Sequence, residues 1–226
     1  MAKDAMAKDA MDDELAALRR FVQEMTRLVA SGSGEAAVMA GARPLLQQLI
    51  ADDRWLPQDC TRTHPEFYQQ YLLHCDPLER FSLVSFVWGP GQRTPIHDHG
   101  VWGLIGMLRG AELGQRYRIG DDGRLQPQGL TQRLDPGDIE AVSPTLGDIH
   151  QVANASQETA SISIHLYGAN IGAVARHVFD PATGAAKPFV SGYSSARVPN
   201  LWDRSAEIRH ALGGAATGSV PFPGTA

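Results

Sequence analysis

Short apolar runs separated by turn residues fill the chain from Tyr68 onward, and this texture constrains the fold more than any other feature. The breaks between the runs hold glycine, proline and aspartate, as in Asp135-Pro136-Gly137. Examples of these runs are Phe81–Trp88, Val101–Leu108, Ala111–Ile119, Ile139–Val142 and Thr159–Tyr167. Many short strands with regular turn signals are typical of a β-sandwich or a small β-barrel. The sequence therefore predicts a mainly β domain.

The first quarter of the chain has a helical pattern instead. Apolar residues recur at helical spacing across residues 12–30. Shorter helical segments are predicted at about 35–41 and from Pro44 onward, since proline is favoured at the first position of a helix. One more short helix is predicted at Ser205–Leu212.

The predicted domain organisation follows from this change of texture. Residues 1–11, where the segment MAKDA occurs twice, are expected to be a disordered tail. Residues 12–58 are expected to form a helical segment packed on a β-barrel, and residues 59–195 are expected to form the barrel domain itself. Residues 196–226, rich in small residues and proline, are expected to form a C-terminal wrap and tail.

Composition excludes several classes of function and favours a cytoplasmic protein. The 226 residues carry a net charge of −5, whereas a general nucleic-acid binder needs a basic face. No apolar run approaches the roughly 18 residues of a membrane span. The two cysteines, Cys60 and Cys75, are too few for a secreted disulfide framework, so we expect structural thiols in a reducing compartment. We expect a monomer or small homo-oligomer with neither nucleic acid nor membrane as a partner.

Three histidines carry the candidate chemistry. His97 and His99 form an H-x-H pair, and residues two apart on a β-strand point to the same face, so both imidazoles can reach one ion. A third ligand must come from a neighbouring strand, for which His150 is the candidate. Imidazole ligands suit iron, zinc, copper or nickel, so ligand type alone does not select the metal. Three neutral ligands leave the ion its full positive charge, which favours an anionic ligand such as a thiolate.

Two motifs around these histidines resemble those of the cupin superfamily. In the first motif, Gly103 stands where the family usually has a metal-binding glutamate. The residues of this motif are Gly91, His97, His99, Gly103 and Gly110. The second motif has two gaps one residue longer than the family pattern, and its residues are Gly137, Pro144, Gly147, His150 and Asn154. The resemblance implies a cupin, which is a small β-barrel or jelly roll, with a three-histidine metal site.

An all-histidine cupin of this layout resembles the thiol dioxygenases of the cysteine dioxygenase type I family, and the similarity covers roughly residues 60–190. Members of that family bind non-haem Fe(II) through three histidines and convert a small thiol and O2 to a sulfinate. The implied iron ligands are His97, His99 and His150. The segment from Ser163 to Tyr167 resembles the family's Ser-x-His-x-Tyr relay. The resemblance implies that Ser163 and His165 hold the Tyr167 phenol near the substrate.

Two departures from the animal enzymes bear on the chemistry and the substrate. Gly103 occupies the position of the cysteine that cross-links to the active-site tyrosine there, so Tyr167 is expected to be unmodified. Gln70 replaces the arginine that holds the substrate carboxylate in those enzymes. This is similar to a bacterial Gln-type subgroup that resembles 3-mercaptopropionate dioxygenases. An arginine nine residues beyond the tyrosine compensates in that subgroup, and Arg176 occupies this position. The resemblance implies that Arg176 and Gln70 bind the substrate carboxylate.

The resemblance therefore implies a dioxygenase that adds both atoms of O2 to the sulfur of a small thiol carboxylate. Replacement of the arginine by Gln70 favours 3-mercaptopropionate, with cysteine as the other candidate. The alternatives are a cysteine dioxygenase proper, another three-histidine cupin oxygenase that cleaves a diketone or a catechol, and a non-catalytic cupin that senses or stores a metal or a ligand. The sequence has no glycine-rich phosphate loop or dinucleotide-binding pattern, so we expect no organic cofactor.

Overall fold

The structure is a computed structural model, and it describes residues 15–195 and 205–212. Within these ranges the protein is mainly β. Two antiparallel sheets face each other, and helices cover the outer side of one of them. The prediction of a mainly β fold with N-terminal helices is therefore confirmed.

The first sheet has five strands and the second has six. The strands of the first sheet are β1 (Gln69–Cys75), β2 (Ser82–Trp88), β4 (Gly103–Arg109), β7 (Ile139–Val142) and β9 (Ser161–Tyr167). The strands of the second sheet are β3 (Ile96–His97), β5 (Glu112–Ile119), β6 (Leu125–Leu134), β8 (Ile149–Asn154), β10 (Arg176–Phe179) and β11 (Ala186–Phe189). The spatial orders are β1-β2-β9-β4-β7 and β11-β10-β3-β8-β5-β6.

The strand order identifies the fold. Among strands β2 to β9, the first sheet contains β2-β9-β4-β7 and the second contains β3-β8-β5-β6. This is the eight-strand order of a jelly roll, a double-sheet architecture built from two Greek keys and shared by the cupins. The cupin-type fold expected from the motifs is therefore confirmed. The remaining strands β1, β10 and β11 extend the two sheets at their edges.

Two helices, α1 (Ala16–Ala30) and α2 (Glu35–Leu49), pack on the outer face of the first sheet. Their buried apolar side chains form one cluster with alternate residues of β9, namely Ile162, Ile164 and Leu166. Because side chains alternate across a strand, the intervening residues of β9 point toward the second sheet. Every residue of β9 is buried, because one face of the strand packs on the helices and the other face points into the space between the two sheets.

The predicted break in the helix before Pro44 is wrong. A single helix runs from Glu35 to Leu49 with Pro44 inside it. Proline lacks the N–H that would bond to the carbonyl four residues earlier, so the helix loses one hydrogen bond there. The helix continues because Ala42 and Leu46, on either side of the proline, are fully buried against the core.

A short helix, α3 (Ser205–Ala211), lies where the sequence predicts one. The predicted tail at 1–11 lies outside the described residues, as does most of the predicted C-terminal wrap and tail at 196–226. The boundaries at residues 58 and 195 stay predictions. Within the described ranges, no helix has the length and apolar character needed to cross a membrane.

Candidate metal centre

Three histidines converge in the interior between the two sheets. His97 of β3 lies directly opposite His150 of β8 in the strand register. The ring centroids of His97, His99 and His150 are 4.8 to 4.9 Å apart. One nitrogen from each ring lies within 4.8 Å of the other two, and all three residues are buried. The structure thus brings together the residues that the sequence predicts as metal ligands.

His99 reaches this cluster in a way that the sequence reasoning did not anticipate. Strand β3 ends at His97, so the two-residue period of a strand does not position His99. Instead, His99 donates its Nδ1–H to Oδ1 of Asp148 at 3.0 Å. The other carboxylate oxygen of Asp148 accepts the backbone N–H of Gly100 at 2.8 Å. Asp148 is not among the residues predicted from the sequence, where its place two residues before His150 is the available signal.

Hydrogen bonds at Nδ1 fix the tautomers of two of the three imidazoles. A carbonyl or a carboxylate can only accept, so His97 donates Nδ1–H to the Pro95 carbonyl at 3.1 Å and His99 donates to Asp148. The Nε2 lone pair of each of these rings is therefore left for an ion. The Nδ1 atom of His150 is buried without a hydrogen-bond partner among the described residues.

The electrostatics of the cluster favour neutral rings. Burial lowers the pKa of His97 and of His150 well below the usual histidine value, and repulsion from His99 adds to this effect. Burial would raise the pKa of Asp148, but its hydrogen bonds with His99 and Gly100 outweigh burial and lower it. An ionised carboxylate behind an imidazole orients that ring and raises its basicity as a ligand. This donor set fits a divalent first-row transition metal.

A row of polar side chains on the inner face of β9 lies next to the three histidines. Ser163 Oγ is 2.8 Å from His165 Nε2, and His165 Nδ1 is 2.8 Å from Tyr167 Oη. The Tyr167 ring stacks on the His99 imidazole with centroids 5.6 Å apart. Burial lowers the pKa of His165 well below its usual value and raises the pKa of Tyr167, so both side chains are neutral near pH 7.

Arg176 is a buried cation near the same histidines. It lies on β10 and is only 4% exposed. Its Nη2 donates to Ser191 Oγ at 2.6 Å, and the guanidinium lies 4.7 Å from the centre of the Phe189 ring. Among the described residues, no hydrogen-bond partner reaches its Nε atom and no carboxylate lies within ion-pair distance.

One cavity connects these groups. Every site residue predicted from the sequence lines it except Ser163, which lies behind His165. The predicted residues that line the cavity are Gln70, His97, His99, His150, His165, Tyr167 and Arg176. Buried aromatic and apolar side chains, including Phe86 and Trp88, form the remaining wall.

No family model matches the chain. Among solved structures, it is similar to a conserved protein with a double-stranded β-helix domain from Klebsiella pneumoniae. The two chains are 17% identical over 57% of this chain and 90% of that one, with a TM-score of 0.37. A cupin superfamily protein from Desulfitobacterium hafniense is similar with 13% identity, coverage of 48% and 83%, and a TM-score of 0.37. An oxalate oxidase in complex with the substrate analogue glycolate is similar with 16% identity, coverage of 47% and 53%, and a TM-score of 0.38.

These TM-scores are low, so the fold assignment rests on the strand order and the site assignment rests on the side chains of this chain. The protein combines a cupin-type jelly roll with a buried three-histidine site suited to a metal ion. This combination is suited to hold a divalent metal ion inside the jelly roll.

Proposed function

We propose that the protein is a non-haem Fe(II) thiol dioxygenase that adds both atoms of O2 to the sulfur of a small thiol carboxylate, with 3-mercaptopropionate as the favoured substrate. One observation carries the proposal. The buried guanidinium of Arg176, which has no described carboxylate within ion-pair distance, lines the same cavity as the three histidines.

The Asp98 carboxylate acts on Arg176 only from beyond ion-pair distance, so the buried cation favours an anionic ligand in direct contact with it. Removing a guanidinium from water is costly unless its charge is compensated. Burial lowers the pKa of Arg176, yet an arginine side chain stays protonated in proteins. The fork of donors on a guanidinium matches the two oxygens of a carboxylate. A substrate carboxylate beside Arg176 therefore compensates the charge and leaves the rest of a short molecule to reach the histidines.

The three imidazoles favour a second anionic group at the other end of the substrate. No carboxylate belongs to the cluster among the described residues, so a bound Fe(II) ion would keep its full double positive charge. Fe(II) would supply the redox chemistry that joins dioxygen to sulfur. Thiolates are good ligands for such a site. A molecule with a thiolate at one end and a carboxylate at the other matches both the metal at the three histidines and the Arg176 guanidinium.

Tyr167 and the apolar wall position the reactants and exclude water. The Tyr167 phenol is held by His165 and its ring lies against the His99 ring, and Tyr167 lines the cavity where the thiol carboxylate would bind. Phe86 and Trp88 close the neighbouring wall with aromatic surface. A dry, pre-organised cavity holds the substrate in one geometry and strengthens its electrostatic contacts.

The proposed reaction balances without a further reductant. The thiolate RS− and O2 give the sulfinate RSO2−. Two S–O bonds form and the O–O bond breaks. Sulfur loses four electrons, dioxygen gains the same four, and the carboxylate is unchanged.

The lining of the cavity favours 3-mercaptopropionate over cysteine. Gln70 contributes a neutral side chain where the animal enzymes of the resembled family have an arginine. No aspartate or glutamate is among the described residues that line the cavity, so the ammonium group of cysteine would have no counter-charge there. The substrate 3-mercaptopropionate has no ammonium group and needs no such counter-charge.

Oxygen consumption by the iron-loaded protein, with 3-mercaptopropionate and L-cysteine measured side by side, tests this proposal. We expect a higher kcat/KM for 3-mercaptopropionate, and under 18O2 a sulfinate that carries two labelled oxygen atoms. Turnover of a diketone or a catechol without any thiol oxidation would replace the proposal with another cupin oxygenase. An iron-loaded protein that consumes no O2 with any small thiol would point to a non-catalytic cupin.

Replacement of Arg176 by glutamine tests the observation that carries the proposal. Hydrogen bonds to charged groups contribute about 1.5–3 kcal/mol, so kcat/KM for 3-mercaptopropionate should fall roughly 10- to 100-fold. Turnover of propanethiol, which has no carboxylate, should fall much less. The exposed Arg118 provides a matched control, since Arg118→Gln should affect neither substrate. Equal losses for the two thiols in Arg176→Gln would contradict a carboxylate-binding role.

A further inference from the structure

The segment that follows β11 crosses from the second sheet to the first. Strand β11 ends at Phe189, and residues 190–194 continue from it without regular secondary structure. The backbone N–H of Ser194 donates to the Gln70 carbonyl at 2.8 Å, and Ser194 Oγ accepts the Gln70 N–H at 3.1 Å. Because β11 and β1 are outer strands of their sheets, this segment joins the edges of the two sheets. Residues 190–194 are called the strap below.

The strap contacts both residues that would bind the substrate carboxylate. Ser191 Oγ accepts a hydrogen bond from Arg176 Nη2 at 2.6 Å, and no other hydrogen-bond partner of this guanidinium is found among the described residues. Ser194 holds the backbone of Gln70, which lines the cavity. Arg176 lies on the second sheet and Gln70 on the first, so one short segment connects the two residues across the gap between the sheets.

Tyr193 anchors the middle of the strap. Its Oη atom accepts the Gly172 N–H at 3.0 Å and donates to Asn170 Oδ1 at 2.5 Å. The Gly192 N–H donates to the Gly172 carbonyl at 3.0 Å. A Cβ atom at position 172 would lie 2.4 Å from Tyr193 Cε2, so the ring lies directly on the Gly172 backbone. Tyr193 is not among the residues that line the cavity, and it therefore acts on a substrate only through the strap.

The contacts of Arg176 leave its guanidinium arranged for an anion. The Ser191 hydroxyl occupies one donor of the fork, and the Phe189 ring lies 4.7 Å from the guanidinium carbon. The Nε atom has no hydrogen-bond partner among the described residues, so donors remain for a carboxylate. An arginine side chain is long and flexible, and holding it in its bound orientation before the ligand arrives reduces the entropy lost on binding.

We propose that Ser191 is a positioning residue for the substrate carboxylate, and that the strap, anchored by Tyr193, holds the Arg176 guanidinium in the orientation that receives this group. The identity of the ligand rests on the proposed function. The strap makes no described hydrogen bond to His97, His99 or His150, so its effect is confined to the carboxylate end of the ligand.

Anaerobic calorimetric titration of the Zn(II)-loaded full chain tests this inference without any turnover. Ser191→Ala should raise the Kd of 3-mercaptopropionate about 5- to 10-fold, because Arg176 loses the contact that orients it. The Kd of propanethiol, which has no carboxylate, should change less than about twofold, and its binding reports that the variant is folded. Ser191→Thr keeps the hydroxyl and should restore the affinity for 3-mercaptopropionate. Equal changes for the two thiols, or wild-type affinities in Ser191→Ala, would overturn the inference.

Tyr193→Phe tests the anchor from outside the cavity. This variant keeps the ring but loses the hydrogen bonds to Gly172 and Asn170, so it should show the same selective loss for 3-mercaptopropionate. Tyr71→Phe is the matched control, because it removes a hydroxyl that bonds the Arg62 carbonyl away from the strap, and it should bind both thiols normally. Wild-type affinity in Tyr193→Phe would refute the anchoring role.

The outcomes separate this inference from the proposed function. A selective loss in Ser191→Ala, together with an iron-loaded wild type that consumes no O2, would refute the dioxygenase and retain the positioning role. A wild type that oxidises 3-mercaptopropionate while Ser191→Ala binds it normally would refute the positioning role alone. A wild type that binds 3-mercaptopropionate no more tightly than propanethiol would overturn both, because Arg176 would then hold no carboxylate.

Discussion

Gly103 shows how the absence of a side chain shapes the site at the scale of one residue. It lies directly opposite Tyr167 in the pairing of β4 with β9. A Cβ atom at position 103 would lie 2.8 Å from Tyr167 Cδ1 and 3.1 Å from Val142 Cγ2. The Tyr167 ring therefore occupies the space that a side chain would fill. Close packing against the backbone, together with the His165 contact, holds this ring in place.

Substitution of Gly103 by alanine should destabilise the protein. The Tyr167 ring is buried and already in close contact with Gly103, and overpacking of a core typically costs about 1–3 kcal/mol in the free energy of unfolding. Urea denaturation measures this change. As a control, Gly34→Ala adds a methyl group where no atom lies within 4 Å and should cost less than about 1 kcal/mol. Equal stability of the two variants would show that Tyr167 is loosely held.

Gln70 gives a second prediction at the residue scale, this time for substrate choice. Gln70→Arg adds a guanidinium to the cavity wall at the position where the animal enzymes carry one. The ratio of kcat/KM for cysteine to that for 3-mercaptopropionate should rise about tenfold, equivalent to about 1.4 kcal/mol. Gln70→Lys is the matched control, because a point charge without a planar fork should shift the ratio less. An unchanged ratio in Gln70→Arg would count against a role of Gln70 in specificity.

At the scale of elements, the segment that leads into β8 supplies both a candidate ligand and the support for another. His150 belongs to this strand, and Asp148, just before the strand begins, orients His99. The Asp148 carboxylate also accepts the backbone N–H of Gly100, which fixes the turn that follows His99. One short segment therefore supplies one of the three imidazoles and orients a second.

Asp148→Ala should weaken metal binding without removing an imidazole from the cluster. Loss of a carboxylate that supports a histidine ligand typically costs about 10- to 100-fold in metal affinity. Titration with Co(II), followed by its visible absorption, measures the dissociation constant. His150→Ala, which removes a proposed ligand, should lose far more affinity, and Asp121→Ala, in the exposed turn after β5, should lose none. Wild-type affinity in Asp148→Ala would show that packing alone orients His99.

The apolar pattern predicted several strands closely and missed others. The strand at Ile139–Val142 has the predicted bounds, and the one predicted at Thr159–Tyr167 begins two residues later. Burial in the core dictates the sequence of such strands, so their pattern can be recognised. Strands β10 and β11 were not predicted because they are short and half of their residues or more are not buried.

The same distinction applies within the candidate site. Motif spacing predicted which histidines meet, because both motifs position their histidines through local turns. Asp148 was missed because a single carboxylate in a sequence is usually a surface residue. Only the pairing of distant strands shows that it points inward. The burial of Arg176 likewise depends on Phe189 of β11, a strand without a sequence signal.

At the scale of the whole molecule, Glu112 of β5, which is fully buried, makes the stability of the fold depend on pH. Burial raises its pKa from 4.5 to about 8 in the folded protein, so between these values the folded state holds a proton that the unfolded state has lost. Folding stability therefore falls as pH rises through this window. A shift of this size corresponds to an upper limit of about 4–5 kcal/mol.

Glu112→Gln should remove this contribution. The free energy of unfolding of the wild type minus that of Glu112→Gln should fall by up to about 1.4 kcal/mol per pH unit between about pH 5 and pH 8, and then level off. Urea denaturation of both proteins across this range measures the difference. The exposed Glu158→Gln should give a curve parallel to the wild type. Parallel curves for Glu112→Gln as well would show that Glu112 ionises at an ordinary pH.

The pairing of β3 with β8 has a consequence for the life of the protein in the cell. Strand β3 has only two residues, and its one register partner in β8 is His150, opposite His97. Backbone hydrogen bonds of Gln92 and Thr94 with β8 continue this pairing. An ion shared by rings from both strands would favour the folded state further. Under metal starvation, metal-free molecules would unfold more often and be degraded sooner. Scarcity of the ion would thus reduce the amount of the protein as well as its activity.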